Sequence, residues 1–289
     1  MAAPVVSVAS SVAEVVGLLA AEPDRVILAG GTDMLVELNE HRRRAPAGVI
    51  AVDRVAELRS WTHDPSAGTV SIGAAVRWSE IERGALAALV PALAQAARTV
   101  GSPQIRHAGT IGGNLATCSP AGDGLPPLAA LDAVVHLRSA SGERRLPVAD
   151  FMVGPKRTAA ARDELITAVT VPVAAGWQGY SKVGVRNAMV ISIASACLVH
   201  DRPTSAVRIA LGSVGPTVLR CPAAEEMLRT AADLGAAQPL VGDDTVGEFA
   251  ALVRAAARPI DDHRSSAAYR SHAVGVLAAR LLRSAFPNG

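Results

Sequence analysis

The stretch Gly101–Gly124, GSPQIRHAGTIGGNLATCSPAGDG, decides how the rest of the chain is read. Its centre is Thr110-Ile111-Gly112-Gly113-Asn114, and an acid, Asp123, follows nine residues later. Adjacent glycines let a backbone turn sharply and bring unhindered N–H groups close to a bound group. A run of such donors favours an anion, and a diphosphate is the usual guest. Thr110 adds a hydroxyl, Asn114 an amide, and Asp123 a carboxylate able to accept from sugar hydroxyls. A Gly-Gly pair alone is only a loop. With these polar flanks, residues 101–124 read as a loop that cradles a dinucleotide and is ended by Pro126-Pro127.

Composition narrows the remaining choices. A chain of 289 residues is long enough for a large core and for two or three subdomains. A net charge of +2 gives no electrostatic case for nucleic acid or a membrane surface as partner. With aromatics at 3%, the core must come from Ala, Val and Leu. No apolar run approaches the ~20 residues that cross a bilayer. The start, MAAPVVSVASS, lacks the basic segment and long apolar run of a secretory signal, so the expected compartment is the cytoplasm. Cys118, Cys197 and Cys221 are far apart and the seven histidines are scattered. Neither set predicts a disulfide framework, a zinc site or an iron–sulfur cluster in this chain.

Outward from the central stretch, hydrophobic periodicity predicts mixed elements. Ser11-Val12-Ala13-Glu14 reads as a capping box before a helix that buries Val12, Val15, Val16 and Leu19. Residues 24–29 read as a buried strand ending on Gly30-Gly31, with Thr32-Asp33 capping a short helix to about Asn39. Strand, glycine turn and helix start can place N–H groups before a phosphate. The spacing fits no Rossmann or P-loop fingerprint, however, and this segment alone reads as an ordinary βα turn. Strands follow at 49–52, 58–61, 69–72, 133–138, 144–148 and 165–171, with helices from Trp78 and over 89–100. A boundary falls near 172–179. Beyond it come strands at 183–185, 190–199 and 207–211 and helices from about Ala223, over 246–257 and over 266–284. The last shows Tyr269, Ala273, Val276, Leu277 and Leu281 on one face, and Asp261-Asp262-His263-Arg264 reads as a cap and solvated loop. The pattern is α+β and not a regular βαβ alternation.

Taken together, AGGTDML (29–35), VGSPQIRHAGTIGGNLATCSPAGDGLPPL (100–128) and GPKRTAAARDELITAVTVP (154–172) resemble the FAD-binding medium subunit of molybdenum hydroxylases, the carbon monoxide dehydrogenase and xanthine dehydrogenase type. The resemblance covers nearly the whole chain. It implies a PCMH (vanillyl-alcohol oxidase-like) FAD-binding domain over 1–175, in subdomains of about 1–55 and 56–175. A small α+β C-terminal domain of three strands and three helices over 178–289 follows. Carried over by position, Leu28, Ala29, Gly30, Gly31, Thr32, Asp33 and Met34 wrap the diphosphate on one side. Thr110, Ile111, Gly112, Gly113 and Asn114 do so on the other, and Asp123 bonds the flavin cofactor. Val100, Ile166 and Lys182 fall where the family places further FAD contacts; core packing explains the first two equally well, and solvation the third. Relatives read Arg-Asn where this chain has Arg106-His107, and His107 reads as a hydrogen-bonding group beside the cofactor. Thr32 stands where some covalent flavoproteins carry the flavin-linked histidine, which implies non-covalent FAD.

The resemblance implies an electron-transfer subunit. A large partner would hold the molybdenum cofactor and a small one the 2Fe–2S clusters, in a dimer of heterotrimers. No nucleic acid and no membrane insertion enter this reading. Two alternatives are a stand-alone flavin oxidoreductase of the same fold and a non-catalytic assembly subunit. The Ala-rich C-terminal region offers no catalytic cluster for the first, and the intact glycines with Asp123 weigh against the second.

Overall fold

The structure, a computed structural model of the chain, describes residues 5–236 and 239–287. The N-terminal segment forms β1 (Val5–Val8), α1 (Val12–Ala21), β2 (Val26–Leu28), α2 (Met34–Asn39) and β3 (Gly48–Ala51). Its three strands lie parallel in the order β1-β3-β2. Here, then, the chain does use βαβ crossovers, which the mixed pattern of the whole sequence concealed. Ser11 caps α1 by accepting the N–H of Glu14 at 3.1 Å. The Glu14 carboxylate reaches past the cap residue to the N–H of Ser10 at 2.8 Å. Val12, Val15, Val16 and Leu19 are buried, the face their spacing predicts.

A 3-10 turn over Ala56–Arg59 takes the place of the strand expected at 58–61. Leu58 is buried under the N-terminal unit, so the chain turns there before it can extend. The second unit then runs β4 (Trp61–Asp64), β5 (Thr69–Gly73), α3 (Trp78–Ile81), α4 (Gly84–Leu89), α5 (Pro91–Thr99), α6 (Pro103–Ala108), α7 (Ile111–Thr117) and α8 (Leu125–Ala130). It continues through β6 (Val134–Ser139), β7 (Gly142–Pro147), α9 (Val148–Phe151), β8 (Met152–Gly154), β9 (Arg157–Thr158) and β10 (Leu165–Pro172). Its main sheet, β4-β5-β10-β6-β7, is antiparallel. Trp78, Leu93, Ile111, Leu115 and Leu128 from the helices join Val70, Ile72, Val135 and Val169 from the sheet in one core. Pro126 and Pro127 do not end a loop. They sit buried in the first turn of α8, where a missing N–H costs nothing.

The third unit is an antiparallel sheet of β11 (Gln178–Val183), β12 (Ala194–Asp201), β13 (Ala206–Gly212) and the two-residue β14 (Leu219–Arg220). Helices α10 (Pro222–Ala231), α11 (Asp243–Ala256) and α12 (Ala267–Ala285) follow. Four strands therefore stand where three were expected. The strand expected at 183–185 begins five residues earlier, because Gln178 to Lys182 pair with β12 despite the glycine among them.

The inward face of α12 is turned by one residue from expectation. Tyr269 is 47% exposed, whereas Arg270 is 4% exposed. Arg270 donates to the carbonyls of Ile193 (2.9 Å) and Ser213 (3.0 Å) and to Asp262 Oδ1 (2.7 Å). The segment 261–264 is thus only half the solvated cap it was read as. Asp261 does cap α12, accepting the Ala267 N–H at 2.6 Å, but Asp262 forms an inward ion pair. Removing Arg270 leaves two buried carbonyls without a donor and takes the cation from the half-buried Asp262, which keeps the N–H groups of Arg264 and Ser265. Arg270→Met is expected to lower stability by about 3 kcal/mol or more in urea unfolding, and unchanged stability would contradict the buried pairing.

Candidate functional site

β2 delivers the chain to Leu28, whose carbonyl accepts the Val52 N–H at 3.0 Å. The next residues leave the sheet in a tight turn, with Gly31 at φ +70. Gly30 has no room for a side chain, since a Cβ would lie 1.9 Å from the carbonyl oxygen of Ala108. Asp33 heads α2 without capping it; its Oδ2 accepts instead from Thr117 Oγ1 at 3.0 Å, at the far end of α7. Among the described residues, no hydrogen bond engages the backbone N–H groups of Gly30, Gly31, Thr32, Asp33 or Met34. Five consecutive unpaired donors in and after a glycine turn are chemically able to bond an anion.

The second glycine turn is built differently. Residues 101–124 contain two helices: Ser102 Oγ caps α6 and Thr110 Oγ1 caps α7 by accepting the Gly113 N–H at 3.0 Å. The N–H of Ile111 donates to Val76 O (3.1 Å), that of Gly112 to Ala74 O (2.8 Å), and that of Asn114 to Thr110 O (3.1 Å). The N–H groups of Ile111 to Asn114, expected to be free, are therefore occupied inside the chain, and the longer unpaired row lies in the first turn, which had read as an ordinary βα connection. Neither glycine serves a positive φ. Gly112 serves close packing, for a Cβ there would meet Ala74 at 2.6 Å. Gly113 is less crowded, since within 4 Å such a Cβ would meet only Thr110 Oγ1, at 3.1 Å. It faces a cavity of about 160 Å³ whose lining includes Ile27, Ala29, Ala75, Thr158 and Ile166. The structure thus brings Ala29, Gly112, Gly113 and Ile166 to one cavity, with Gly30 and Thr32 against the neighbouring residues Ala108 and Gly109.

Asp123, Lys182 and Val100 lie at a second place. Asp123 is 8% exposed and sits between two glycines that have no space for a Cβ. One at Gly122 would meet the Asn114 amide nitrogen at 3.0 Å, and one at Gly124 would meet the Trp78 indole and the Asn114 carbonyl oxygen. Asp123 Oδ2 accepts from Lys182 Nζ at 2.6 Å and Oδ1 from the Tyr180 hydroxyl at 2.8 Å. Lys182 also donates to Thr99 O (2.9 Å) and Val190 O (3.2 Å), so its three N–H groups are engaged in a buried pair and not solvated. Burial pushes the Asp123 carboxyl up, while Lys182 and Tyr180 pull it down. Burial and the adjacent carboxylate together drive the Tyr180 phenol well above its ordinary value. Val100 ends α5, half-buried against the middle core. Asn114 lies between the two places, and its Oδ1 is buried without a hydrogen-bond partner. His107 is exposed on the last turn of α6, its Nδ1 2.7 Å from Pro103 O.

Tyr180, Trp78 and Thr117 escaped the sequence reading. Tyr180 stood two residues from Lys182, and strand alternation alone puts both on one face. Trp78 and Thr117 carry no such signal. Among the described residues, no group of three or more His, Cys, Asp or Glu could hold a metal, and no helix is long and apolar enough to cross a membrane.

Known proteins share this architecture. Residues 3–174 match the family described as the FAD binding domain in molybdopterin dehydrogenase, and residues 180–285 the CO dehydrogenase flavoprotein C-terminal domain. The glyceraldehyde dehydrogenase medium chain of Sulfolobus acidocaldarius is 32% identical over 279 residues, 95% of each chain. The xanthine dehydrogenase FAD-binding subunit of Escherichia coli O157:H7 is 30% identical over 284 residues, 96% of this chain and 94% of that one. A solved carbon monoxide dehydrogenase from Hydrogenophaga pseudoflava superposes with a TM-score of 0.89 at 30% identity, covering 99% of this chain and 98% of that one.

The contrast between the two TIGGN glycines is testable without any ligand. Gly112→Val overpacks the contact with Ala74 and is expected to cost about 1–3 kcal/mol or more in thermal unfolding. Gly113→Ala, in a helix and pressing only on the Thr110 hydroxyl, is expected to stay within about 1 kcal/mol of the parent. Equal losses at the two positions would contradict the assignment of close backbone packing to Gly112 alone.

Proposed function

We propose that this chain, which belongs to the family of FAD-binding medium subunits of molybdenum hydroxylases, takes electrons from 2Fe–2S clusters of a partner subunit and passes them to an external acceptor. The observation that carries the reading is the row of unpaired N–H groups from Gly30 to Met34 beside the cavity at Gly113. Bound FAD can accept electrons singly and release them in pairs, chemistry that side chains alone do not provide.

The residues present suit that cofactor. N–H donors at 30–34 neutralise a diphosphate. The cavity between Ala29, Gly113 and Ile166 is lined mainly by apolar groups and has room for one end of a dinucleotide, not the whole. The unpartnered Asn114 Oδ1 offers an acceptor, and Asp123 offers two. On this reading Leu28 to Met34, Val100, Thr110 to Asn114, Asp123, Ile166 and Lys182 surround FAD held non-covalently, Thr32 having no side chain for a histidyl–flavin bond. The FAD-binding domain would span 1–175 and the C-terminal domain 178–289, in line with the change of sheet between Pro172 and Gln178. The work of these residues is to bind and orient the cofactor; none is required to move a proton on a substrate.

The same reading assigns the molybdenum cofactor to a large partner and the clusters to a small one, in a dimer of heterotrimers in the cytoplasm. Supporting the division, Cys118, Cys197 and Cys221 are each buried and unpaired. An absorbance spectrum of the purified chain, alone and with its copurifying neighbours, tests the proposal. Flavin bands released by acid, with 2Fe–2S bands and molybdenum only in the complex, are expected. Absence of flavin from both preparations after FAD is added, or substrate turnover by the chain alone, would overturn it.

A further inference from the structure

Two carboxylates stand among the proposed FAD contacts, and they are held in different ways. Asp33 is exposed and takes one hydroxyl bond from Thr117. Asp123 is buried, and a donor from β11 reaches each of its oxygens. Tyr180 and Lys182 are two residues apart on that strand, so both side chains project from one face toward the loop that carries Asp123. The strand is itself fixed. Tyr180 pairs with Cys197 and Lys182 with Ser195 in β12, and the Tyr180 N–H donates to Gln95 Oε1 at 2.8 Å.

Lys182 alone would not set the carboxylate's orientation. Its ammonium is shared among Thr99 O, Val190 O and Asp123 Oδ2, and a bond to one oxygen leaves the carboxylate plane free to turn about the bond to its Cβ. The Tyr180 hydroxyl on Oδ1 removes that freedom. With one donor on each oxygen, each retains acceptor capacity, and the two remaining directions are fixed relative to the backbone. A pair of fixed acceptors suits adjacent hydroxyls on a polyol chain or a sugar.

We infer that Tyr180 is a positioning residue for the cofactor: its hydroxyl fixes the plane of the Asp123 carboxylate that accepts from the sugar or ribityl hydroxyls of FAD. The inference rests on the FAD reading above. It makes the first C-terminal strand part of the site without direct contact between Tyr180 and the cofactor.

A double-mutant cycle on the full chain, read as FAD affinity by flavin fluorescence titration, tests it. Tyr180→Phe is expected to weaken FAD roughly fivefold to tenfold, the size of one hydrogen bond to a charged group transmitted in part. Once Asp123→Ala has removed both acceptor oxygens, adding Tyr180→Phe is expected to change the affinity by less than about twofold. A residue that served packing alone would produce the same further loss in both backgrounds, and that additivity would overturn the inference, as would full affinity in Tyr180→Phe. Should the single variant not fold, Asp123→Ala and Tyr180→Phe/Asp123→Ala, which keep no oxygen for the hydroxyl to orient, supply the decisive comparison: equal affinities support the inference and a further loss refutes it. A parent chain that binds no FAD overturns the FAD reading and this inference with it. A parent that binds while the cycle is additive overturns the inference alone.

Discussion

Gly30 approaches the carbonyl of Ala108 so closely that a Cβ would lie 1.9 Å from its oxygen. This backbone-on-backbone contact joins the N-terminal parallel sheet to the helical segment of the second unit, and much of the site follows from it. The first turn must be glycine to fit, and Gly31 supplies the positive φ that swings the chain into α2. Because the turn is pressed against α6 on one side, its N–H groups have no strand or helix partner. Asp33 is drawn across to Thr117, which ties the heads of α2 and the tail of α7 together around those donors. The turn is only partly covered, so its five N–H groups stay open to solvent or to a bound anion.

The junction with the third unit depends on charge. Removing an ion from water costs several kcal/mol, and the Asp123–Lys182 pair recovers this only because each member has further partners. Asp123 has Tyr180, and Lys182 has two carbonyls from different parts of the chain, Thr99 at the end of α5 and Val190 before β12. Apolar contacts run through the same junction: Tyr180, Cys197, Val199 and Ala210 of the C-terminal sheet belong to the core of the second unit. The C-terminal sheet is therefore not an appendage of the second unit, because two residues of its first strand bond Asp123 and its apolar face shares that unit's core. Arg270 plays a comparable part at the opposite side of that sheet, holding the carbonyls of Ile193 and Ser213.

Elements with strong local signals were legible in the sequence. The α1 face, the paired strands β6 and β7 and the extent of the last helix stand close to where periodicity and turn residues put them. Errors arose where tertiary contacts overrule local pattern. TIGGN reads as a loop from its glycines, yet Thr110 caps it as a helix and the glycine at 112 is there to fit Ala74. Arg270 reads as surface from its charge, and only the carbonyls it reaches across the fold make it core. Both glycine turns read as diphosphate loops, yet the N–H groups of residues 111 and 112 are taken by Val76 and Ala74, bonds that span about thirty-five positions and leave no mark on local composition. Lys182 was open between solvent and cofactor, and the structure shows a third state, a buried partner of Asp123.

On the proposed reading the first glycine turn, and not the row from Ile111 to Asn114, supplies the free backbone donors for FAD. Residue-resolved hydrogen exchange of the full chain with and without FAD tests this. Without FAD the amides of Gly30 to Met34 are expected to exchange fast while those of Ile111 to Asn114 are already protected, and FAD is expected to slow the first set strongly and the second little. Protection gained chiefly at 111–114, with 30–34 unchanged, would contradict it.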